Sequence, residues 1–176
     1  DFRRKGKMVG ADYPSVANLA RTLSAKGERR ELASWLTLPN NALALRVVAN
    51  RLWQQHFGHP LAAPEDFGTQ GLPPTHPQLL DWLAAELPRR KWSLKAMHKL
   101  IVTSVTYRQV SRNDGRDLEW SARLQKDPEN ILWSRQIRRR LTGEMLRDTL
   151  LTVSGSLSNR KGGPGVRPPL PREITS

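Results

Sequence analysis

Thr75-His76-Pro77-Gln78-Leu79-Leu80-Asp81-Trp82-Leu83-Ala84-Ala85-Glu86-Leu87-Pro88 is the stretch that decides how the rest of this chain is read. Thr75 stands where its hydroxyl can cap the N–H of Gln78, and Gln78 can reach back to it. Pro77 falls in the first turn, where a missing N–H costs nothing. Leu79, Leu80, Trp82, Leu83 and Leu87 then recur at three- and four-residue spacing, the period of one buried helix face. Pro88 is expected to end the helix. Start signal, period and stop signal agree, so the segment is predicted to be an amphipathic helix packed in a core.

The same grammar repeats on both sides. Upstream, Leu32, Trp35 and Leu36 predict a short helix over residues 29–38, closed by Pro39. Asn40-Asn41 can cap a longer one to residue 57, with Leu45, Val48, Ala49, Leu52, Trp53 and His56 inward. Gly58 then suits a left-handed C′ position, and Pro60 forbids continuation. Downstream, Ser93 caps a helix over 93–107 with Leu94, Met97, Leu100, Ile101 and Val105 inward. A short helix is expected around Trp120. Asp127-Pro128 reads as cap plus first-turn proline for a helix over 129–136, and a long helix is predicted over 138–153, closing at Gly155. No period-2 strand, heptad run or internal repeat interrupts this pattern. The fold expected is all-α: an irregular orthogonal domain of about five to six helices with long Pro/Gly-rich loops. Its core should include Trp35, Leu52, Trp53, Leu83, Leu100, Ile101 and Leu141. Residues 1–27 read as a linker, 28–157 as the helical domain, and 158–176 as a Pro/Gly-rich tail leading into further chain.

Composition sets outer bounds. The 176 residues suit about one domain. No apolar run approaches the ~20 residues of a membrane span. Asp1-Phe2-Arg3-Arg4 is charged and leads into no apolar core, so no export leader is read there. Zero cysteines exclude disulfides, thiolate zinc sites, iron–sulfur clusters and c-type haem attachment within these residues. The net charge is +13, unevenly spread: residues 1–40 hold 8 basic and 4 acidic side chains, 41–88 hold 2 and 4, and 89–176 hold 19 and 8. The basic flanks can attract a polyanion, or an acidic remainder of a longer chain can balance them.

Among constellations, Arg140, Glu144, Arg147 and Asp148 fall on one predicted helix, with Arg140–Glu144 and Glu144–Asp148 four apart. Carboxylates pinned by arginines can serve acid–base chemistry. The expected role is structural, an ion-pair network docking that helix against Arg46, Asn50 and Arg51. His76, at a first helical turn, is expected to make a structural hydrogen bond. Together with Glu144 and Asp148 it forms the only set of catalytic candidates, and a weak one. No metal site is expected: His56 and His59 are three apart, but Gly58 breaks the helix between them. No Gly-x-Ser-x-Gly or phosphate-binding Gly-rich motif occurs. Of six tryptophans, Trp35, Trp53, Trp82 and Trp92 fit core faces. Trp120 and Trp133, set among basic residues, are the expected stacking surface. Arg89, Arg90, Lys91, Arg138, Arg139, Arg140 and Trp133 therefore form the expected anion-binding set.

Ordered fragments along the chain carry a resemblance. They include Arg46-Val47-x-x-Asn50-Arg51-x-Trp53-x-x-x-Phe57-Gly58, Asp66-Phe67-Gly68, Pro74-Thr75-His76-Pro77-x-Leu79-Leu80-Asp81-Trp82-Leu83-Ala84, Asp127-Pro128-Glu129-Asn130 and Arg139-Arg140-Leu141-x-x-Glu144-x-x-Arg147-Asp148. Over residues 28–169 the chain resembles the planctomycete-specific domain of unknown function found C-terminal to cytochrome-c-like domains. It departs from that pattern at Ala42, Ala44 and Pro60, which touches turn geometry only. The resemblance implies a large, exported, multidomain parent and a copy of the domain that is incomplete here. It implies no cofactor in this segment, with haem elsewhere in the parent, and no catalytic residue to carry over. Partners expected are other domains of the parent, the cytochrome-like one among them, or an anionic polymer. The first expectation for function is a non-catalytic docking module. A polyanion-binding module comes next, and last an enzyme whose site other chain completes.

Overall fold

The computed structural model describes residues 6, 12–14, 28–63, 71–112, 118–160 and 162–163. Most of the expected linker 1–27, the Asp66-Phe67-Gly68 fragment and the end of the tail lie outside them. The fold is all-α, with six helices and no strand among the described residues. They are α1 (Arg29–Leu36), α2 (Ala42–Phe57), α3 (Pro77–Arg89), α4 (Leu94–Val102), α5 (Leu118–Lys126) and α6 (Gly143–Val153). Two compact units divide the chain, one up to Arg138 and one from Arg139 onward.

In the first unit, α2, α3 and α4 pack on one another. Asn41 caps α2 by accepting the Ala44 N–H, and its amide donates to the Trp35 carbonyl, tying α1 to α2. Leu45, Ala49, Leu52, Trp53 and Phe57 of α2 meet Leu80, Leu83, Ala84 and Leu87 of α3 and Met97 and Ile101 of α4 in one buried cluster. Each such large apolar side chain removed from water contributes about 1.5–3 kcal/mol. Gly58 takes φ +84 at the end of α2, the left-handed C-cap read from the sequence.

An aromatic group completes this core. Trp53 stacks on Phe57 with centroids 4.0 Å apart, and Trp133 meets both edge-on at 5.2 and 5.1 Å. Tyr107 lies edge-on to Phe57 at 5.7 Å. Such pairs add about 0.5–1.5 kcal/mol each beyond area burial. Trp133 reaches this cluster from a loop, so a segment remote in sequence closes the core.

Several boundaries differ from the sequence reading. Pro88 lies inside α3, which runs on to Arg89. The turn after it is made by Lys91 and Trp92, both left-handed, with the Trp92 N–H on the Leu87 carbonyl. Helix α4 stops at Val102, where the Thr103 hydroxyl bonds back to the Lys99 carbonyl, and Val105 is exposed. No helix forms over 129–136: Asn130 and Trp133 adopt φ +57 and +55, which no α-helix accommodates.

In the second unit, α6 begins at Gly143 rather than at Arg138. Thr142 accepts the Met145 N–H and so sets the start. Leu141, expected in the core, is 56% exposed, and no residue of α6 is buried. Among the described residues, no helix is long and apolar enough to cross a membrane.

Candidate functional site

The first unit carries a cleft of about 450 Å³ lined by His59, Pro60, Thr75, Glu129, Asn130, Ile131 and Trp133. Three separate segments build it, and buried polar side chains hold each in place. Asn50, fully buried on α2, accepts the N–H groups of Leu61 and Ala62 at 2.8 and 3.1 Å and donates to the Ala62 carbonyl at 2.8 Å. That fixes the chain just after His59 and Pro60. Thr75 joins the same loop, its N–H and hydroxyl both donating to the Leu61 carbonyl at 2.8 and 3.2 Å.

The third segment is the loop after α5. Buried Asp127 accepts the N–H groups of Ile131 and Leu132 at 2.7 and 2.8 Å. Buried Asn130 accepts the Arg135 N–H and donates to the Arg135 carbonyl. Arg135 turns its guanidinium back onto the carbonyls of Asp127 and Pro128. These bonds offset the left-handed backbone at Trp133, which costs about 1–2 kcal/mol, while Asn130 is of a residue type that tolerates that conformation. Trp133 is 6% exposed and its indole N–H is buried with no acceptor among the described residues, as are those of Trp35 and Trp53. Glu129 and His59, by contrast, are exposed at the rim.

The predicted site residues land in different places. His76 is the N-cap residue of α3 but makes no side-chain cap; its Nδ1 lies 3.1 Å from the Thr75 hydroxyl. Thr75 does not cap α3 either, because its hydroxyl is taken by the Leu61 carbonyl. Arg89 and Arg90 both pair with Glu86, at 3.1 and 2.9 Å, so part of the expected basic patch is neutralised within α3. The Arg89 hydrogen bond holds the Glu86 carboxyl below its ordinary value; burial opposes this and Arg90 reinforces it. Lys91 stands exposed in the left-handed turn.

Arg46 pairs with Asp81 of α3 at 2.6 Å, and Asn50 serves the Leu61–Ala62 loop, so both have partners inside the first unit. Arg51 is exposed. Arg138, Arg139 and Arg140 are exposed on non-helical chain before α6, so Arg140 does not share a helix face with Glu144. Glu144, Arg147 and Asp148 are exposed on α6. The Glu144 carboxyl is held low by its own backbone N–H and then by the Thr142 hydroxyl. Trp133 and Trp120, expected as a stacking surface, are both buried, Trp133 because its ring packs edge-on against Trp53 and Phe57 in the aromatic core. Trp82, expected inside, is 46% exposed.

Two features escaped the sequence reading. His56 Nε2 and His98 Nδ1 lie 2.8 Å apart, bridging α2 and α4. Nothing local connects residues 42 positions apart. An apolar groove of about 480 Å³ also opens along Trp35, Leu36, Leu43, Val47 and Trp92, where Tyr13 stacks on Trp35 at 4.9 Å. Among the described residues no three His, Asp or Glu side chains gather as a metal site would require.

A helical domain with a Trp-rich core and a loop-built, hydrogen-bonded cleft is thus the class of protein defined here. Residues 28–176 match the family described as protein of unknown function DUF1553 (PSD1), and the chain belongs to that family. Neither a curated protein nor a solved structure matches it.

Proposed function

We propose that this domain is a non-catalytic interaction module of a larger, exported, multidomain protein, and that it docks another domain of that protein. The observation that supports this reading is the apolar face of α6. Leu146, Leu150 and Val153 follow one another at helical spacing and are all exposed, Leu150 at 63%. Leu141 and Leu157 extend the apolar surface at either end. Large contiguous apolar surface of this kind marks a contact site, and an amphipathic helix laid in a groove is a recurrent mode of recognition. The surrounding charge gives the partner its chemistry. Residues 138–160 hold five basic side chains (Arg138, Arg139, Arg140, Arg147, Arg160) against two acidic ones (Glu144, Asp148). An apolar groove rimmed by carboxylates complements that surface.

Hydrogen exchange on the intact natural protein tests the reading. Backbone amides of α6 should exchange at least about tenfold more slowly there than in this chain alone, because docking removes the open state. Equal exchange in both would refute it.

The exposed run Arg138-Arg139-Arg140 favours a second reading, weak binding of a polyanion backbone without sequence preference. A site engaging about five phosphates should lose about two to three decades of affinity between about 50 and 200 mM salt. A titration with a labelled oligonucleotide and a sulfated oligosaccharide checks it, and binding indifferent to salt would exclude it.

A further inference from the structure

We propose that the cleft between the His59–Pro60 loop, Thr75 and the Asp127–Arg135 loop binds a neutral saccharide, independently of the α6 face. Its volume, about 450 Å³, falls within the range of small-molecule sites. Its polar groups divide into two kinds. Asn130 and Thr75 spend their hydrogen bonds on the backbone of the cleft's own loops, and Asp127, Asn50 and Arg135 brace those loops from behind the lining, so the walls are held before any ligand arrives. His59 and Glu129 have no partner among the described residues and stand exposed at the rim, an imidazole that can both give and take a hydrogen bond and an acceptor carboxylate.

The apolar share of the lining comes from Pro60, Ile131 and the Trp133 ring. A pyranose presents the same alternation: hydroxyls around its edge and a face of C–H bonds. A carboxylate accepts from two neighbouring hydroxyls while the ring lies on the apolar wall. Other ligand classes fit less well. An anion meets Glu129, and a cation finds one carboxylate opposed by a histidine. Trp133 takes a left-handed backbone that a bulky residue rarely adopts, with Glu129 and Ile131 exposed and the Trp133 ring buried.

The experiment uses the full chain labelled with ¹⁵N. Glucose, galactose, N-acetylglucosamine and cellobiose are titrated one at a time. The expected result is saturable, millimolar binding of at least one sugar, reported by a shift of the Trp133 indole resonance. That resonance is assigned by its loss in Trp133→Phe. Glu129→Gln and His59→Ala, both at exposed positions, should each weaken binding by about tenfold, about one hydrogen bond to the sugar, with the melting temperature unchanged. Leu150→Asp, which damages the α6 face, should leave sugar binding as it was. The proposal is overturned if no sugar moves the Trp133 signal. It is equally overturned if binding survives both rim substitutions undiminished.

Discussion

In α2, Leu45, Ala49, Leu52, Trp53 and Phe57 repeat at three- and four-residue spacing and every one is buried. In α6, Leu146, Leu150 and Val153 repeat with the same period and every one is exposed. Both helices are capped by a polar side chain at the residue before the first turn, Asn41 and Thr142. The difference lies in what each unit supplies opposite the stripe. The first unit brings α3, α4 and the Trp133 loop against α2. The second contains one helix and nothing among its described residues that covers it. An amphipathic period therefore says which face of a helix is to be covered, and nothing about whether the same stretch of chain does the covering.

Substitutions can break this contrast. Phe57→Ala removes a fully buried ring that touches Trp53, Trp133 and Tyr107, and should cost about 4 kcal/mol in urea unfolding of the first unit. A loss below about 1 kcal/mol would mean that this aromatic core is not as packed as described. Asn50→Ala strands two N–H groups and one carbonyl in the cleft-supporting loop, and should cost about 3 kcal/mol. It should also speed hydrogen exchange at Leu61 and Ala62, the amides that lose their acceptor.

Acidity sharpens the contrast next. The Glu86 carboxyl is held below its ordinary value in the folded state, chiefly by Arg89, so folding favours the ionised form. The sign follows: its contribution is fully present above the unfolded-state value of about 4.3 and is lost as pH falls through the lower folded value. Urea midpoints measured down through that window should decline, and Glu86→Gln should be less stable at neutral pH with a shallower decline. An unaltered profile in Glu86→Gln would remove the Arg89 and Arg90 pairing as a source of stability. The smallest effect is expected at Leu150→Ala, which should shift unfolding by no more than about 0.5 kcal/mol, since its side chain is already in water. A cost near that of Phe57→Ala would erase the distinction between the two units.

Legibility in the sequence followed the range of the interaction responsible. The centres of α2, α3 and α4 were readable because caps, prolines and period act within one helix, as at Asn41, Pro77, Ser93 and Gly58. The ends were less so. Thr75 had the chemistry of a cap but is claimed by the Leu61 carbonyl from another loop, and Pro88 lies inside α3, one residue before its end, rather than beyond it. Of the cleft, Asp127 and Thr75 were noticed as helix caps and Trp133 as a surface ring. Their common role was invisible because it depends on residues 59–62, 75 and 127–135 meeting in space.

The sequence by itself determined an all-α, Cys-free, strongly basic chain, the inward stripe of α2, and the left-handed stop at Gly58. These follow from side-chain chemistry and steric rules that operate over a few residues. Only the tertiary structure decided that Trp133 is core rather than surface, that Asn50 and Asn130 brace loops, that His56 meets His98, and that the α6 stripe is left open. Each of those outcomes turns on a partner supplied from far along the chain, or not supplied at all, and a local pattern of residues carries no record of that.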